Sequence, residues 1–177
     1  MIRANNAARA FQKRTIRPLY AWHSAVPYAC FLDTAAVGST VLYPGQVAVK
    51  TTGEQMDFSR AGANDRPFGL FNNFINGVMD ELGGGTEISV WTGGYDSVFE
   101  VLAGPSASET PLDSTVTWTA LNATRGGVRL YSTAAGRLTN ADPGAANRYQ
   151  VAQLIEAVSN GKIIVQLVLE TRVAAAV

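Results

Sequence analysis

Lys162-Ile163-Ile164-Val165-Gln166-Leu167-Val168-Leu169-Glu170-Thr171-Arg172 decides the fold class. Ile163, Val165, Leu167 and Leu169 recur at every second position, the period of a β-strand and not of a helix. On the other face Ile164 and Val168 alternate with Gln166 and Glu170, so both faces are at least partly covered. That pattern places the strand in the middle of a sheet.

Working back from this strand, Gly161 separates it from residues 149–158, which alternate but also tolerate a helix; the alternation favours a strand. Residues 115–121 and 127–132 read as a strand pair, and the polar, glycine-containing residues 134–147 as a long loop. Residues 87–92 and 95–103 flank Gly93-Gly94, which suits a tight hairpin. In the second of these runs Val98, Glu100 and Leu102 fall on one face, Phe99 and Val101 on the other. Residues 37–43 lead into Pro44-Gly45, a strong turn pair, and residues 46–51 resume as a strand with one wet face. Residues 62–66 are loop-like, and 67–71 return to buried character.

Residues 72–82 differ in period. Phe74, Ile75, Val78, Met79 and Leu82 approach the spacing of an amphipathic helix, which Gly77 weakens and Gly83-Gly84-Gly85 ends. Many short strands, one short helix and no βαβ rhythm predict a mainly β protein: a barrel or sandwich of short antiparallel strands with one short helical insertion. Residues 173–177 read as a frayed end or a small packing contact.

At 177 residues the chain suits one domain, and its single cysteine, Cys30, forbids an internal disulfide. The first twenty residues hold five of the 14 basic residues, Arg3, Arg9, Lys13, Arg14 and Arg17, and no acid. The remainder has nine basic against 14 acidic residues, so a +5 arm joins a −5 body within a neutral total. Residues 1–24 therefore read as an extended basic arm and 25–177 as the β-rich domain. The arm is too short to hold a helix alone; it reads as a tail or as a segment that orders on a partner. Leu19, Tyr20, Trp22, Tyr28 and Phe31 follow it closely, and so aromatic a stretch needs a surface to cover. No apolar leader-type region precedes Leu19 and no run of about 18 apolar residues occurs, so a soluble protein without a membrane partner is expected.

The residues that carry chemistry are sparse. His23 is the sole histidine, which excludes a two-histidine metal site. His23 and Cys30 read as a hydrogen-bonded histidine and a packed cysteine ahead of a thiolate pair. Asp57, Asp65, Asp80, Glu81, Asp96 and Asp142 are scattered as in solvated turns, without an Asp-x-Asp-x-Asp-Gly calcium loop; a small hydrolase would have to use Asp80, Glu81 or Asp96. Gly83-Gly84-Gly85 lacks the Lys-Ser/Thr of a phosphate loop, and the hydrolase motif Gly-x-Ser-x-Gly is missing. Neither catalysis, a cofactor nor a metal is expected. An arginine-rich arm with aromatics also suits nucleic acid, but the acidic body and only three lysines, Lys13, Lys50 and Lys162, argue against direct binding.

The turn and strand Tyr43-Pro44-Gly45-Gln46-Val47-Ala48-Val49, the return Arg66-Pro67-Phe68-Gly69-Leu70, and residues 152–157 followed by Gly161-Lys162-Ile163-Ile164-Val165-Gln166-Leu167 together resemble the head decoration, or cement, proteins of tailed bacteriophages. In those proteins a late strand leads through a glycine turn into a closing apolar strand. The likeness spans about residues 37–169; the basic arm and Trp91-Thr92-Gly93-Gly94-Tyr95 lie outside it. The resemblance implies a non-enzymatic virion protein, assembled in the host cytoplasm, that sits as a homotrimer on the outer surface of the capsid. Its partner would be the major capsid protein, whose neighbouring subunits it ties together; a minor capsid or head-to-tail connector role is the alternative. An arm of this composition fits the task, with Arg3, Arg9, Lys13, Arg14 and Arg17 pairing with acidic groups on the shell and Leu19, Tyr20 and Trp22 anchoring the apolar contact.

Overall fold

The computed structural model describes residues 16–20, 26–33, 41–51, 57–72, 87–93, 97–104, 106–107, 109–125, 127–144 and 149–169. Eleven strands run through them: β1 Ile16–Tyr20, β2 Val26–Leu32, β3 Val47–Lys50, β4 Asp57–Arg60, β5 Gly69–Phe71, β6 Glu87–Thr92, β7 Val98–Leu102, β8 Val128–Ser132, β9 Leu138–Thr139, β10 Ala152–Ser159 and β11 Lys162–Leu167. They form a six-stranded antiparallel sheet in the order β1-β7-β11-β10-β8-β9, and a closed five-stranded barrel in the order β2-β4-β3-β5-β6. The mainly β expectation is met. One departure is that β2 and β4 pair in parallel, through Phe31 and Leu32 opposite Asp57 and Phe58.

The strand that decided the fold class is central, with β7 on one side and β10 on the other. Ile163, Val165 and Leu167 are fully buried. The strand stops earlier than its alternation suggests, because Leu169 turns into left-handed backbone at φ 49°. The amides of Val168 and Leu169 there both donate to the Val151 carbonyl. Residues 170–172 lie outside the described residues, as does the helix expected over 72–82 beyond Asn72.

Alternation in the barrel strands explains how the two layers join. In β3 Ala48 points into the barrel while Val47 and Val49 point into the core beneath the large sheet. In β5 Phe71 and Leu70 divide in the same way, and in β6 Val90 and Trp91 do. A strand with period 2 thus feeds two apolar clusters at once. The wet face expected on residues 46–51 is correspondingly small: Val47 and Ala48 are both buried, and Lys50 is exposed.

The Tyr43–Gln46 turn forms as read. Pro44 and a Gly45 at φ 93° fit the two central positions of a type II turn, closed by Gln46 N donating to Tyr43 O at 3.0 Å. The buried Gln46 side chain accepts from Tyr43 N at 2.8 Å and donates to Ala135 O at 3.1 Å, fastening the turn to the loop between β8 and β9.

Two local readings are corrected. Residues 87–92 and 95–103 do not pair as a hairpin: β6 lies between β2 and β5 in the barrel, whereas β7 lies between β1 and β11 in the large sheet. Residues 115–121 are not a strand. The Asp113 carboxylate accepts from both the amide and the hydroxyl of Thr115, and Trp118 Nε1 donates to Asp113 O. These bonds wind the segment into a turn and the 3₁₀ helix Trp118–Ala123, whose Asn122 binds both backbone groups of Ala157 on β10.

Candidate functional site

The basic arm is joined to the body through β1. Of the eight residues expected to dock, Arg3, Arg9, Lys13, Arg14 and Trp22 lie outside the described residues, whereas Arg17, Leu19 and Tyr20 belong to β1. Among the described residues β1 is an edge strand that pairs only with β7. Its Pro18 has no N–H to give the ladder, which edge strands tolerate. The register shifts between Pro18 and Tyr20, leaving Leu19 as the extra, half-buried residue. Ile16 enters the main core.

Arg17 stands directly opposite Glu100 of β7. Its guanidinium grips the carboxylate at both oxygens, Nε to Oε1 at 2.7 Å and Nη2 to Oε2 at 3.1 Å. From the other side Lys162 Nζ, at the start of β11, reaches Oε2 at 2.6 Å. The Glu100 side chain is only 7% exposed, against 49% for Arg17 and 36% for Lys162. Burial by itself would raise the Glu100 carboxyl, but the hydrogen bonds and charges of Arg17 and Lys162 outweigh it and hold the pKa below its ordinary value. The sequence put Glu100 on one face of β7 with Val98 and Leu102 but gave no sign of its two partners, one of them 83 residues away.

Among the described residues the outward face of the large sheet carries two exposed apolar side chains, Ile155 and Val158. Both are the extra residues at the two register shifts of β10 against β11, where a bulge turns a side chain out of its alternation. Phe31 of β2 is also exposed, on the outside of the barrel.

Among the described candidates for reaction chemistry, Cys30, Asp65 and Asp142 are occupied in holding the fold. Cys30 is buried in the barrel, and desolvation pushes its thiol up to about 11, which removes the thiolate a nucleophile needs. His23, Asp80, Glu81 and Asp96 lie outside the described residues. Asp65 accepts from Gly62 N at 2.7 Å and Asp142 from Gly144 N at 2.8 Å, both closing turns. A cavity of about 440 Å³ is lined by Ala103, Thr110, Asp113, Thr115, Trp118 and Asn160. Its one carboxylate, Asp113, would be raised by burial, but hydrogen bonds from Thr115 and Thr139 and the charge of Arg137 bring it below its usual value. That group shapes the turn ahead of the 3₁₀ helix. Among the described residues no three of His, Cys, Asp or Glu lie close enough to hold a metal ion, and no helix is long and apolar enough to cross a membrane.

A family model described as phage cement protein matches residues 1–177, arm and body together. No curated protein matches the sequence.

Proposed function

The chain belongs to the phage cement protein family, and on that premise we propose that it binds the outer surface of an assembled phage head and bridges neighbouring major capsid subunits, stiffening the shell. The observation that carries this reading is the family match over all 177 residues, which includes the basic arm. A structural component of the capsid needs no reaction centre. What it needs is extended surface, a rigid body and a means of attachment.

The two-layer β body supplies the rigid part, and Arg3, Arg9, Lys13 and Arg14 supply an attachment segment with a charge opposite to that of its own body. Each exposed charge pair contributes only about 0–1 kcal/mol. Leu19, Tyr20 and Trp22 therefore give most of the affinity, while the basic residues set approach rate and register. Presented as a trimer, three arms bind in concert, and modest contacts add up to firm attachment.

The test is to mix the full chain with capsids that lack it, pellet the capsids, and image the bound copies. Saturable binding spread over the whole shell is expected. Absence of binding, or binding confined to a ring at one vertex, would overturn the reading.

A further inference from the structure

We propose that the Arg17–Glu100–Lys162 cluster is a latch fixing edge strand β1 on the sheet, which makes Arg17 a positioning residue for the arm and not one of its contacts with the shell. The reason is how little else holds β1. Among the described residues it has one neighbouring strand, a proline in its middle, a register shift beside that proline and one buried side chain, Ile16. Every other strand of the large sheet except β9, at the far edge, is paired on both sides.

Against that background a two-point grip on a nearly buried carboxylate is a large share of the attachment. Two-toothed Arg–carboxylate contacts also fix geometry, since the planar fork accepts a carboxylate in few orientations. Lys162 adds direction. It shares Oε2 with Arg17, so loss of the negative charge leaves two cations facing each other. Lys162 begins a central strand, and β1 is therefore the element that gives way. Residues 1–15 precede Ile16, the residue before the latch, so the point at which they join the body is fixed by it.

The latch stands on this geometry alone, whereas its consequence for attachment rests on the capsid-binding reading above. Hydrogen exchange on the full-length protein tests the first part. Glu100→Gln and, separately, the milder Arg17→Gln should each speed exchange of the β1 amides by about tenfold, as expected for loss of a charged hydrogen-bond pair, with β10 and β11 unchanged. Unaltered protection of β1 in both variants would overturn the latch. Capsid occupancy tests the second part: Arg17→Gln should weaken binding in the native background and add nothing in the Glu100→Gln background. A further loss there would mean that Arg17 touches the shell. Failure of the unmodified protein to bind capsids would remove the attachment role and leave the exchange result standing.

Discussion

Trp91 of the barrel and Phe99 of the large sheet stand eight residues apart in the chain with their rings in contact, centroids 5.7 Å apart and planes tilted by 54°. The chain crosses from one layer to the other between them, and the pair seals the crossing. Phe99 is fully buried, and Trp91 also donates from Nε1 to Asn72 Oδ1 at 2.8 Å. Phe99→Ala should cost about 3–5 kcal/mol, read as a lower urea midpoint. Trp91→Phe keeps an aromatic ring and loses the hydrogen bond, for about 1 kcal/mol. Equal effects would show that the crossing is held by something other than ring packing.

The same crossing marks the limit of what the sequence tells. Residues 149–158 and 162–172 were legible as adjacent strands because each alternates and a short turn joins them, and over 152–159 and 162–167 local pattern and tertiary partner coincide. Gly93-Gly94 is equally turn-like, yet nothing in residues 87–103 states that the strand before it closes a barrel and the strand after it joins a sheet. β4 went unread because only Phe58 of Asp57–Arg60 is buried, too little alternation to register. The 3₁₀ segment looked like a strand since Val116 and Trp118 alternate with threonines; the turn is imposed by Asp113, a single side chain binding two residues ahead. For the arm, charge and aromatic content were legible, whereas the Arg17–Glu100 pair is a long-range contact without a local signal.

Glycine substitutions should separate sharply. A Cβ on Gly69 would lie 2.1 Å from the Trp91 carbonyl oxygen, a backbone atom of the neighbouring strand. One on Gly161 meets nothing nearer than 3.7 Å. Gly69→Ala forces β5 and β6 apart where the barrel closes and should cost about 3 kcal/mol. Gly161→Ala should stay within about 0.5 kcal/mol. Thermal melts of the two variants decide it, and a tolerated Gly69→Ala would contradict the close β5–β6 approach.

Cys30 offers a probe that needs no mutation. Buried and with its thiol pushed up to about 11, it should resist thiol reagents at pH 8 in the native protein. Labelling should appear across the urea transition and follow barrel opening. Rapid, complete labelling in the absence of urea would show that the barrel interior is open to solvent.

Acid should weaken the fold through Glu100. Its folded pKa is lowered from the ordinary 4.5, so its stabilisation is fully present above that value and is lost as pH falls through the folded pKa. Among the described residues the charged groups facing it are Arg17 from β1 and Lys162 from β11; the outward residues beside it, Val98, Leu102, Ile164 and Gln166, carry no charge. Asp113, also lowered, acts in the same direction from its lower ordinary value of 3.8. Urea midpoints from pH 7 to pH 3 should show Glu100→Gln less stable than the native protein at neutral pH, with the gap narrowing below pH 4.5. A gap that widens in acid would reverse the sign argued here.

Where the arm is cut determines what a truncation means. A boundary after residue 24 follows charge and composition, but β1 lies before it, and removing residues 1–24 strips Ile16 from the core, bares the β7 edge and leaves Glu100 with Lys162 alone. Loss of a buried isoleucine by itself costs about 2–5 kcal/mol, so binding lost by that truncation confounds attachment with a damaged body. Removing residues 1–15 takes Arg3, Arg9, Lys13 and Arg14 and keeps β1 with its latch. The shorter cut should melt within a few degrees of the full chain, about the shift of 1 kcal/mol, while capsid occupancy falls; the longer cut should lower both. Undiminished occupancy after the shorter cut would take docking away from those four residues and shift it to β1 and the body behind it.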